Sequence, residues 1–257
     1  MSTQAGPIIQ VEHVAAGYHE TVILEDISFQ VAKGEVLVIV GSSGCGKSTL
    51  LKHMIGLMAP LKGKVLIDGD DIVAADAEVK HRILRKIGVM FQTGALFGSM
   101  TLLENVRLAL DEFTDMPHEA ADLIALMKLD LVGLNGYGEY MPAELSGGMQ
   151  KRAAIARAMV LDPQILFLDE PSAGLDPVTS AGLDALIRSL AETLGMTFVI
   201  VTHELASIFA VADRVIMLEK EIKTIVATGT PQEMRDCTDN PWVQRFFHRQ
   251  AESRVTH

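Results

Sequence analysis

The sequence predicts an α/β fold built around a mainly parallel sheet. Short, mostly apolar runs recur along the chain, and each has the length of a buried strand. They cover residues 36–40, 87–91, 165–168, 197–201 and 215–218. Helical patterns separate most of these runs, and strands that alternate with helices favour parallel pairing. Before the first run, Ile27, Phe29 and Val31 alternate with polar residues, which indicates a half-buried strand.

The first four apolar runs each end in a polar or glycine-rich element. These ends are Gly41 and the residues after it, Gln92, the neighbouring acids Asp169 and Glu170, and His203. In open α/β sheets, ligands bind beyond the carboxyl ends of the strands. We therefore expect the four segments to supply groups to one edge of one sheet.

The first of these ends carries a complete P-loop pattern. It consists of Gly41, Ser42, Ser43, Gly44, Cys45, Gly46, Lys47 and Ser48, with Thr49 opening a predicted helix. Glycines let the backbone wrap so that successive N–H groups point at phosphate oxygens, and the helix N-terminus adds partial positive charge. Lys47 is predicted to meet the β- and γ-phosphates, Ser48 to bind Mg²⁺, and Thr49 to complete the nucleotide contacts. The alternative is a glycine-rich turn with a chance lysine, which the strand–loop–helix context disfavours.

Two neighbouring acids at the end of the third run are candidates for hydrolysis. Neighbouring residues on a strand end project differently, so they can take different roles. Asp169 is predicted to hold Mg²⁺, directly or through water, and Glu170 to orient and polarise the attacking water. The alternative is a pair of surface acids, which the apolar residues before them and the preceding P-loop disfavour.

A second glycine-containing helix start follows at residues 145–150. Ser146 is a good N-cap, and Gly147 and Gly148 would expose backbone N–H groups. One nucleotide already has its phosphates on the P-loop, so this helix could serve the γ-phosphate of a nucleotide on a second copy related by a twofold axis. The alternative is a well-capped helix start with no ligand, and the motif alone does not decide between them.

Composition narrows the partners and the compartment. The 257-residue chain has 33 acidic and 22 basic residues and a formal net charge of −11, so nucleic acid is not an expected partner. Two cysteines are too few for a disulfide scaffold and favour a reducing compartment. No apolar run approaches the roughly 18 residues that suggest a spanning helix, so another chain must supply any membrane part.

Four regions are expected along the chain. Residues 1–92 form the first part of a nucleotide-binding core, and residues 93–144, where helical patterns dominate, form an inserted helical subdomain. Residues 145–230 hold the second glycine-containing helix and the rest of the core, and residues 231–257 form a C-terminal tail.

These motifs resemble the ABC ATPase family over almost the whole chain. Residues 145–150 resemble the family's signature sequence, and residues 169–176 resemble its Walker B segment and D-loop. The resemblance implies a P-loop NTPase fold with an N-terminal antiparallel β portion, a mainly parallel core sheet and an inserted helical subdomain. It also implies hydrolysis of ATP in the presence of Mg²⁺.

Four further residues receive roles from this resemblance. Gln92 matches the Q-loop glutamine, which senses and binds near Mg²⁺ and the attacking water, and His203 matches the switch histidine at the γ-phosphate. Tyr18 matches the aromatic residue that stacks on adenine, and Asp176 belongs to the nucleotide-facing D-loop. Taken alone, such residues are more often turn, packing or capping residues, and their order and spacing in one chain favour the functional roles.

The resemblance also implies partners. A head-to-tail homodimer would close on ATP and reopen after hydrolysis, moving integral membrane permease subunits from the cytoplasmic face of the inner membrane. Apolar residues near Gln92 are candidates for the docking groove, although internal packing is the alternative for most of them. They are Leu96, Phe97, Met100, Leu102 and Leu103.

Three segments are similar to the ATPase of Mla/MCE-type phospholipid transporters. They are residues 91–100, 141–149 and 240–247. This similarity implies lipid transport between bacterial membranes, with a lipid-binding MCE subunit and a small regulatory subunit as further partners. The alternatives are an importer of another small substrate, such as an amino acid, and a soluble ABC ATPase without a transport role.

The tail has a helical apolar stripe of its own. Trp242 and Phe246 are four residues apart, as are Val243 and Phe247. The stripe could fold back on the chain's own core or contact a second copy or a regulatory subunit, and both readings stay open.

Overall fold

A computed structural model describes residues 6–19 and 21–248 of the chain. Its contacts divide the chain into two compact units. Of the described residues, the first unit comprises those before position 74 and those from position 201 to 248, and the second comprises residues 74–200. The four expected regions, with boundaries at residues 92, 144 and 230, stay a prediction.

The strands and helices have the following bounds. The strands are β1 (Ile9–Tyr18), β2 (Thr21–Val31), β3 (Val36–Gly41), β4 (Lys62–Ile67), β5 (Asp70–Asp71), β6 (Ile87–Met90), β7 (Ile165–Asp169), β8 (Thr197–Val201), β9 (Arg214–Glu219) and β10 (Thr224–Gly229). The α-helices are α1 (Lys47–Met54), α2 (Ala77–Lys86), α3 (Leu102–Phe113), α4 (His118–Leu131), α5 (Gly147–Ala158), α6 (Pro177–Leu194), α7 (Leu205–Val211), α8 (Pro231–Asp236) and α9 (Pro241–Phe247). A short 3₁₀ helix, Pro142–Glu144, precedes α5.

The first unit contains an antiparallel sheet with the order β2-β1-β4-β5. Ile9 pairs with Val31 on one side and with Ile67 on the other. The predicted half-buried strand is confirmed in β2, because Ile27 and Val31 are buried while the polar residues between them are exposed. This sheet is the antiparallel portion expected near the N-terminus.

A second group of strands in the first unit leads to the P-loop. Its order is β10-β9-β3, with β9 parallel to β3 and antiparallel to β10. Every residue of β3 is buried, which confirms the prediction of a fully buried strand at residues 36–40. The strand therefore presents a rigid end at Gly41.

The second unit contains the strand order β8-β7-β6, with β6 parallel to β7. All residues of β7 and β8 are buried, as the apolar runs predict. Helices α3 and α4 occupy half of residues 93–144, the segment that the sequence assigns to helices. Thr101 caps α3 through a reciprocal arrangement with Glu104, which explains where this helix begins.

The C-terminal stripe divides between two environments in the first unit. Val243 and Phe247 of α9 are buried, and the Phe247 ring packs edge-on against Phe209 with 6.1 Å between centroids. Trp242 and Phe246 instead line a small cleft of about 180 Å³ next to Ser42. Half of the stripe thus packs on the chain's own core, while residues 249–257 of the tail lie outside the described residues.

None of the helices within residues 6–19 and 21–248 combines the length and apolar character needed to cross a lipid bilayer.

Candidate nucleotide site

The P-loop is shaped by glycines in conformations that other residues rarely adopt. Gly41 and Gly46 have φ angles of 149° and 102°. A Cβ atom at Gly41 would lie 2.4 Å from the Leu218 carbonyl oxygen and 2.6 Å from Cys45 Sγ, so only glycine fits there. Gly46 is the N-cap of α1, and within the described chain no side chain caps this helix. The first N–H groups of α1 are therefore suited to bind an anion.

Lys47 lies over the loop that precedes it. Its Nζ donates to the carbonyl oxygens of Gly41 at 2.8 Å and Ser42 at 3.0 Å. Ser42, Ser43 and Gly44 are exposed around this ammonium group. The loop therefore carries a full positive charge beside exposed residues, an arrangement suited to an anion.

Cys45 differs from its neighbours because its side chain is buried. Burial raises the pKa of the Cys45 thiol, and the nearby charge of Lys47 acts in the opposite direction. The backbone N–H of Cys45 donates to the Ser42 carbonyl oxygen at 3.2 Å. Its side chain thus packs the inside of the loop.

Tyr18 is held against the helix that follows the P-loop. The Tyr18 hydroxyl accepts hydrogen bonds from Thr49 Oγ1 at 3.3 Å and Lys52 Nζ at 3.4 Å. The Thr49 hydrogen bond is the main cause of a lowered pKa for Tyr18, and the contact with Lys52 acts in the same direction. Tyr18 is 39% exposed, and the Lys52 ammonium lies over its ring, 5.8 Å from the centroid.

His203 lies in the same unit as the P-loop. The backbone N–H of the preceding Thr202 donates to the Ile39 carbonyl oxygen at 3.3 Å, and Ile39 is two residues before Gly41. Thr202 is buried and His203 is exposed. The histidine therefore follows a segment that is anchored to the strand leading into the P-loop.

The acid pair lies in the second unit, at the end of β7. Asp169 and Glu170 are both 8% exposed. Glu170 has a φ of 48°, in the left-handed region that non-glycine residues rarely occupy and that often marks a functional site. In the parallel register Met90 pairs with Leu168. Gln92 lies two residues after Met90, and Glu170 lies two residues after Leu168. The two segments therefore leave paired parallel strands at the same edge of the sheet.

The second glycine-containing helix, α5, begins as the sequence predicts. Ser146 Oγ accepts from the Met149 N–H at 3.3 Å, which confirms Ser146 as the N-cap. Ser146 and Gly147 are exposed, whereas Gly148 is buried. A Cβ atom at Gly148 would lie 2.3 Å from Thr179 Cγ2 of α6, so Gly148 is also required for close helix packing.

Asp176 is the N-cap of α6. Its carboxylate accepts from the Val178 and Thr179 N–H groups and, at 2.5 Å, from Thr179 Oγ1. The Thr179 hydroxyl is the main cause of the lowered pKa of Asp176. The sequence carries a signal for this helix start, because Asp176 is a favourable N-cap residue and Pro177 follows it at the first helical position.

Comparison with known proteins identifies the family. The model of the family described as ABC transporter matches residues 24–173, more than half of the chain. The chain belongs to the ABC transporter family. It is an ATPase subunit of that family, as the sequence motifs predict.

Relatives match the ABC ATPase over nearly its whole length. The "Probable ribonucleotide transport ATP-binding protein mkl" of Mycobacterium leprae is 42% identical over 95% of this chain and 69% of its own length. The "Intermembrane phospholipid transport system ATP-binding protein MlaF" is 37% identical in Escherichia coli K12, over 96% of this chain and 91% of its own. MlaF of Haemophilus influenzae is 36% identical over 92% of this chain and 89% of its own.

Solved ABC cassettes share the fold. A dimeric post-hydrolysis structure of the cassette MJ0796, bound to ADP and Pi, has a TM-score of 0.78 and 32% identity, and covers 87% of this chain and 98% of its own. CbiO1 of Clostridium perfringens, part of the transporter complex cbiONQ, has a TM-score of 0.80 and 29% identity over 88% and 90% of the two chains. The predicted α/β P-loop fold is therefore confirmed.

The structure of the ABC ATPase also contains functional candidates that the sequence analysis did not select. Lys151 of the signature helix α5 is 8% exposed, and its Nζ donates to the Gln92 carbonyl oxygen in the Q-loop. Burial lowers the pKa of the Lys151 ammonium, and the negative charges of Glu170 and Asp169 act in the opposite direction. A lysine in an amphipathic helix gives no sequence signal of burial, so only the fold could reveal it.

His53 is the second such residue. It lies on α1, is fully buried, and accepts a hydrogen bond from the Gly17 N–H next to Tyr18. Its spacing from other histidines and cysteines suggests no metal site, and nothing in the local sequence relates it to the residue before Tyr18.

Proposed function

We propose that this ABC ATPase powers phospholipid transport between the membranes of a double-membraned bacterium. The observation that carries this proposal is the match to two MlaF proteins at 36–37% identity over 92–96% of the chain. The three segments at residues 91–100, 141–149 and 240–247 support the same subfamily.

Ribonucleotide transport is the second candidate. The Mkl proteins, which carry that name, are 42% identical to this chain, which is a higher identity than that of the MlaF proteins. The two candidates share the ATPase chemistry and differ in the cargo of the membrane complex.

The proposed site binds the triphosphate of ATP through the P-loop. The N–H groups at the uncapped start of α1 and the Lys47 ammonium would meet the phosphates, and Tyr18 would stack on the adenine. Glu170 would orient the attacking water, and His203 would contact the γ-phosphate. Glu170→Gln is expected to keep nucleotide binding and to lower turnover by roughly 10²–10⁴, the range for a positioned general base.

The residues assigned to Mg²⁺ have suitable chemistry. Magnesium prefers oxygen ligands, and Ser48, Gln92 and Asp169 supply a hydroxyl, an amide and a carboxylate oxygen. When bound, Mg²⁺ neutralises phosphate charge. The protein residues would then hold the nucleotide and the water in place.

A second copy of the chain would complete each site. The start of α5, with exposed Ser146 and Gly147, offers backbone N–H groups at a helix N-terminus, and Asp176 is the N-cap of α6, the next helix along the chain. The related cassette MJ0796 is dimeric with ADP and Pi bound. We therefore propose a head-to-tail homodimer in which α5 of one copy faces the nucleotide of the other.

Permease subunits are the proposed membrane partners. Among the apolar residues near Gln92, Leu102 is buried, whereas Phe97 is 52% exposed and is the best candidate for a docking contact. The assembly would place this chain peripherally on the cytoplasmic face of the inner membrane. An MCE subunit and a small regulatory subunit would complete the Mla-type complex.

Purification of the complex from membranes tests the proposed cargo. The chain should copurify with a permease, and mass spectrometry of the complex should detect bound phospholipid. In detergent without lipid, added phospholipid should raise ATP hydrolysis by the complex, whereas an added ribonucleotide other than the ATP substrate, such as CMP, should not. Hydrolysis that depends on the added ribonucleotide and not on phospholipid would favour the second candidate.

A further inference from the structure

Two cations of the signature helix hold the Q-loop by its backbone. Lys151 Nζ donates to the Gln92 carbonyl oxygen. Arg157 donates to the carbonyl oxygens of Gly94 and Ala95, each at 2.7 Å. The Q-loop is therefore attached to α5 at two points, one at Gln92 and one beyond it.

The two attachments differ in their surroundings. Burial lowers the pKa of the Lys151 ammonium, and the charges of Glu170 and Asp169 oppose this effect. Burial alone lowers the pKa of the Arg157 guanidinium. Lys151 is thus the cation of α5 that contacts the Q-loop and also interacts with both acids. Loss of the Lys151 contact would leave the loop attached through Arg157.

Burial of the Lys151 ammonium is unfavourable unless polar or negatively charged groups interact with it. A lysine has a flexible four-carbon stem that usually carries its ammonium group to water. Here the residue is 8% exposed, its ammonium donates to the Gln92 carbonyl oxygen, and the nearby charges of Glu170 and Asp169 favour its charged form. The ammonium therefore joins the signature helix to the Q-loop in the second unit, within range of the charges of both acids.

We infer that Lys151 is a positioning residue for ATP hydrolysis, which fixes the backbone of Gln92 relative to Asp169 and Glu170. This inference rests on the proposed roles of Gln92 and Glu170 in hydrolysis. Lys151 acts through these residues, so its loss should lower the rate of the chemical step and leave ATP binding by the P-loop intact.

The test compares full-length Lys151→Met with the wild-type protein under saturating Mg–ATP. We expect kcat to fall by roughly 10- to 100-fold, the cost of a misplacement of about 1 Å near reacting groups, with KM for ATP and the affinity for ATP little changed. Lys151→Arg should recover much of kcat, because it restores a cation and a donor. A purely structural role would lower stability and ATP affinity together and would give no such recovery.

Lys128→Met is the matched control. Lys128 is also 8% exposed and pairs with Asp162 at 2.5 Å, and Asp162 is not a predicted site residue. Its replacement removes a buried ammonium from the same unit and should leave kcat near the wild-type value. Wild-type kcat in folded Lys151→Met would overturn the inference.

A second variant, Lys151→Gln, tests the inference if Lys151→Met does not fold. Lys151→Gln keeps a polar group but removes the positive charge and shortens the side chain by one bond, which weakens both the hydrogen bond to the Gln92 carbonyl and the attraction to the two acids, so kcat should still fall while ATP affinity is kept. Wild-type kcat in that variant would also overturn the inference. Glu170→Gln separates this result from the proposed function, because full turnover in Glu170→Gln would refute the hydrolytic assignment whatever Lys151 does.

Discussion

His53 accepts a hydrogen bond from the backbone N–H of Gly17, with 3.2 Å between His53 Nε2 and the Gly17 nitrogen. The other ring nitrogen, Nδ1, lies 3.0 Å from the Met58 carbonyl oxygen and must donate to it, which leaves Nε2 as the acceptor. His53 belongs to the helix that begins at Lys47, and Gly17 precedes Tyr18. The buried imidazole therefore fixes the position of Tyr18 relative to the P-loop helix.

Replacement of His53 by alanine should weaken ATP binding through loss of adenine stacking. Base stacking on an aromatic ring is worth roughly 1–3 kcal/mol, so the Kd for ATP should rise by about 5- to 150-fold if Tyr18 no longer reaches the base. Binding of inorganic triphosphate, which has no base, should be nearly unchanged. Titrations of both ligands against wild type, His53→Ala and Tyr18→Ala measure this difference.

The control for this prediction is Tyr18→Phe. It keeps the ring and removes the hydroxyl that Thr49 and Lys52 contact. A small change in ATP affinity is expected. Equal losses of ATP and triphosphate binding in His53→Ala would show that the histidine supports the phosphate loop as a whole.

The two signature glycines should respond differently to alanine. A Cβ atom at Gly147 would lie 3.5 Å from Leu175 Cδ2, an ordinary contact, whereas one at Gly148 would clash with Thr179. Gly148→Ala should lower the free energy of unfolding by about 1–3 kcal/mol, the usual cost of overpacking. Gly147→Ala should fold normally and lose ATPase activity, because the added methyl group would obstruct the nucleotide of the second copy.

Denaturant unfolding and ATPase assays on both glycine variants separate packing from function. Full activity in a stable Gly147→Ala protein would contradict the placement of α5 at a partner's nucleotide.

Cys45 should react with N-ethylmaleimide more slowly than Cys237. The Cys45 thiol is buried and its pKa is raised mainly by that burial, so the reactive thiolate forms only at higher pH, and the rate of Cys45 modification should rise later as the pH increases. Cys237 is partly exposed. Peptide mass spectrometry can follow both sites in the wild type, and the Cys237→Ser variant isolates Cys45.

Saturating ATP should slow modification of Cys45 further, because bound phosphates would cover the loop. Faster reaction of Cys45 than of Cys237 at neutral pH would contradict the packed loop.

The sequence predicts those parts of the fold that local patterns encode. The apolar runs correspond to β3 and to β6 through β9, and the glycines and Lys47 mark the P-loop in its strand–loop–helix context. Ser146 identifies the start of α5 because an N-cap depends on residues three positions apart. Each of these signals is contained in a few consecutive residues.

Long-range contacts explain what the sequence analysis missed. The Lys151–Gln92 and His53–Gly17 hydrogen bonds join residues 59 and 36 positions apart, and no local pattern specifies such pairs. Strand β10 was missed for another reason. Its residues are all partly or fully exposed, so they lack the contrast between a buried and a solvent face that predicts a strand.

The mass of the Glu170→Gln protein in saturating Mg–ATP is the most direct test of an active site shared by two copies of the chain. Light scattering should show a stable dimer under these conditions, and addition of Gly147→Ala to the same chain should return it to monomers. A Glu170→Gln protein that binds ATP yet remains monomeric, both alone and when its permease is present, would contradict a site built from two copies.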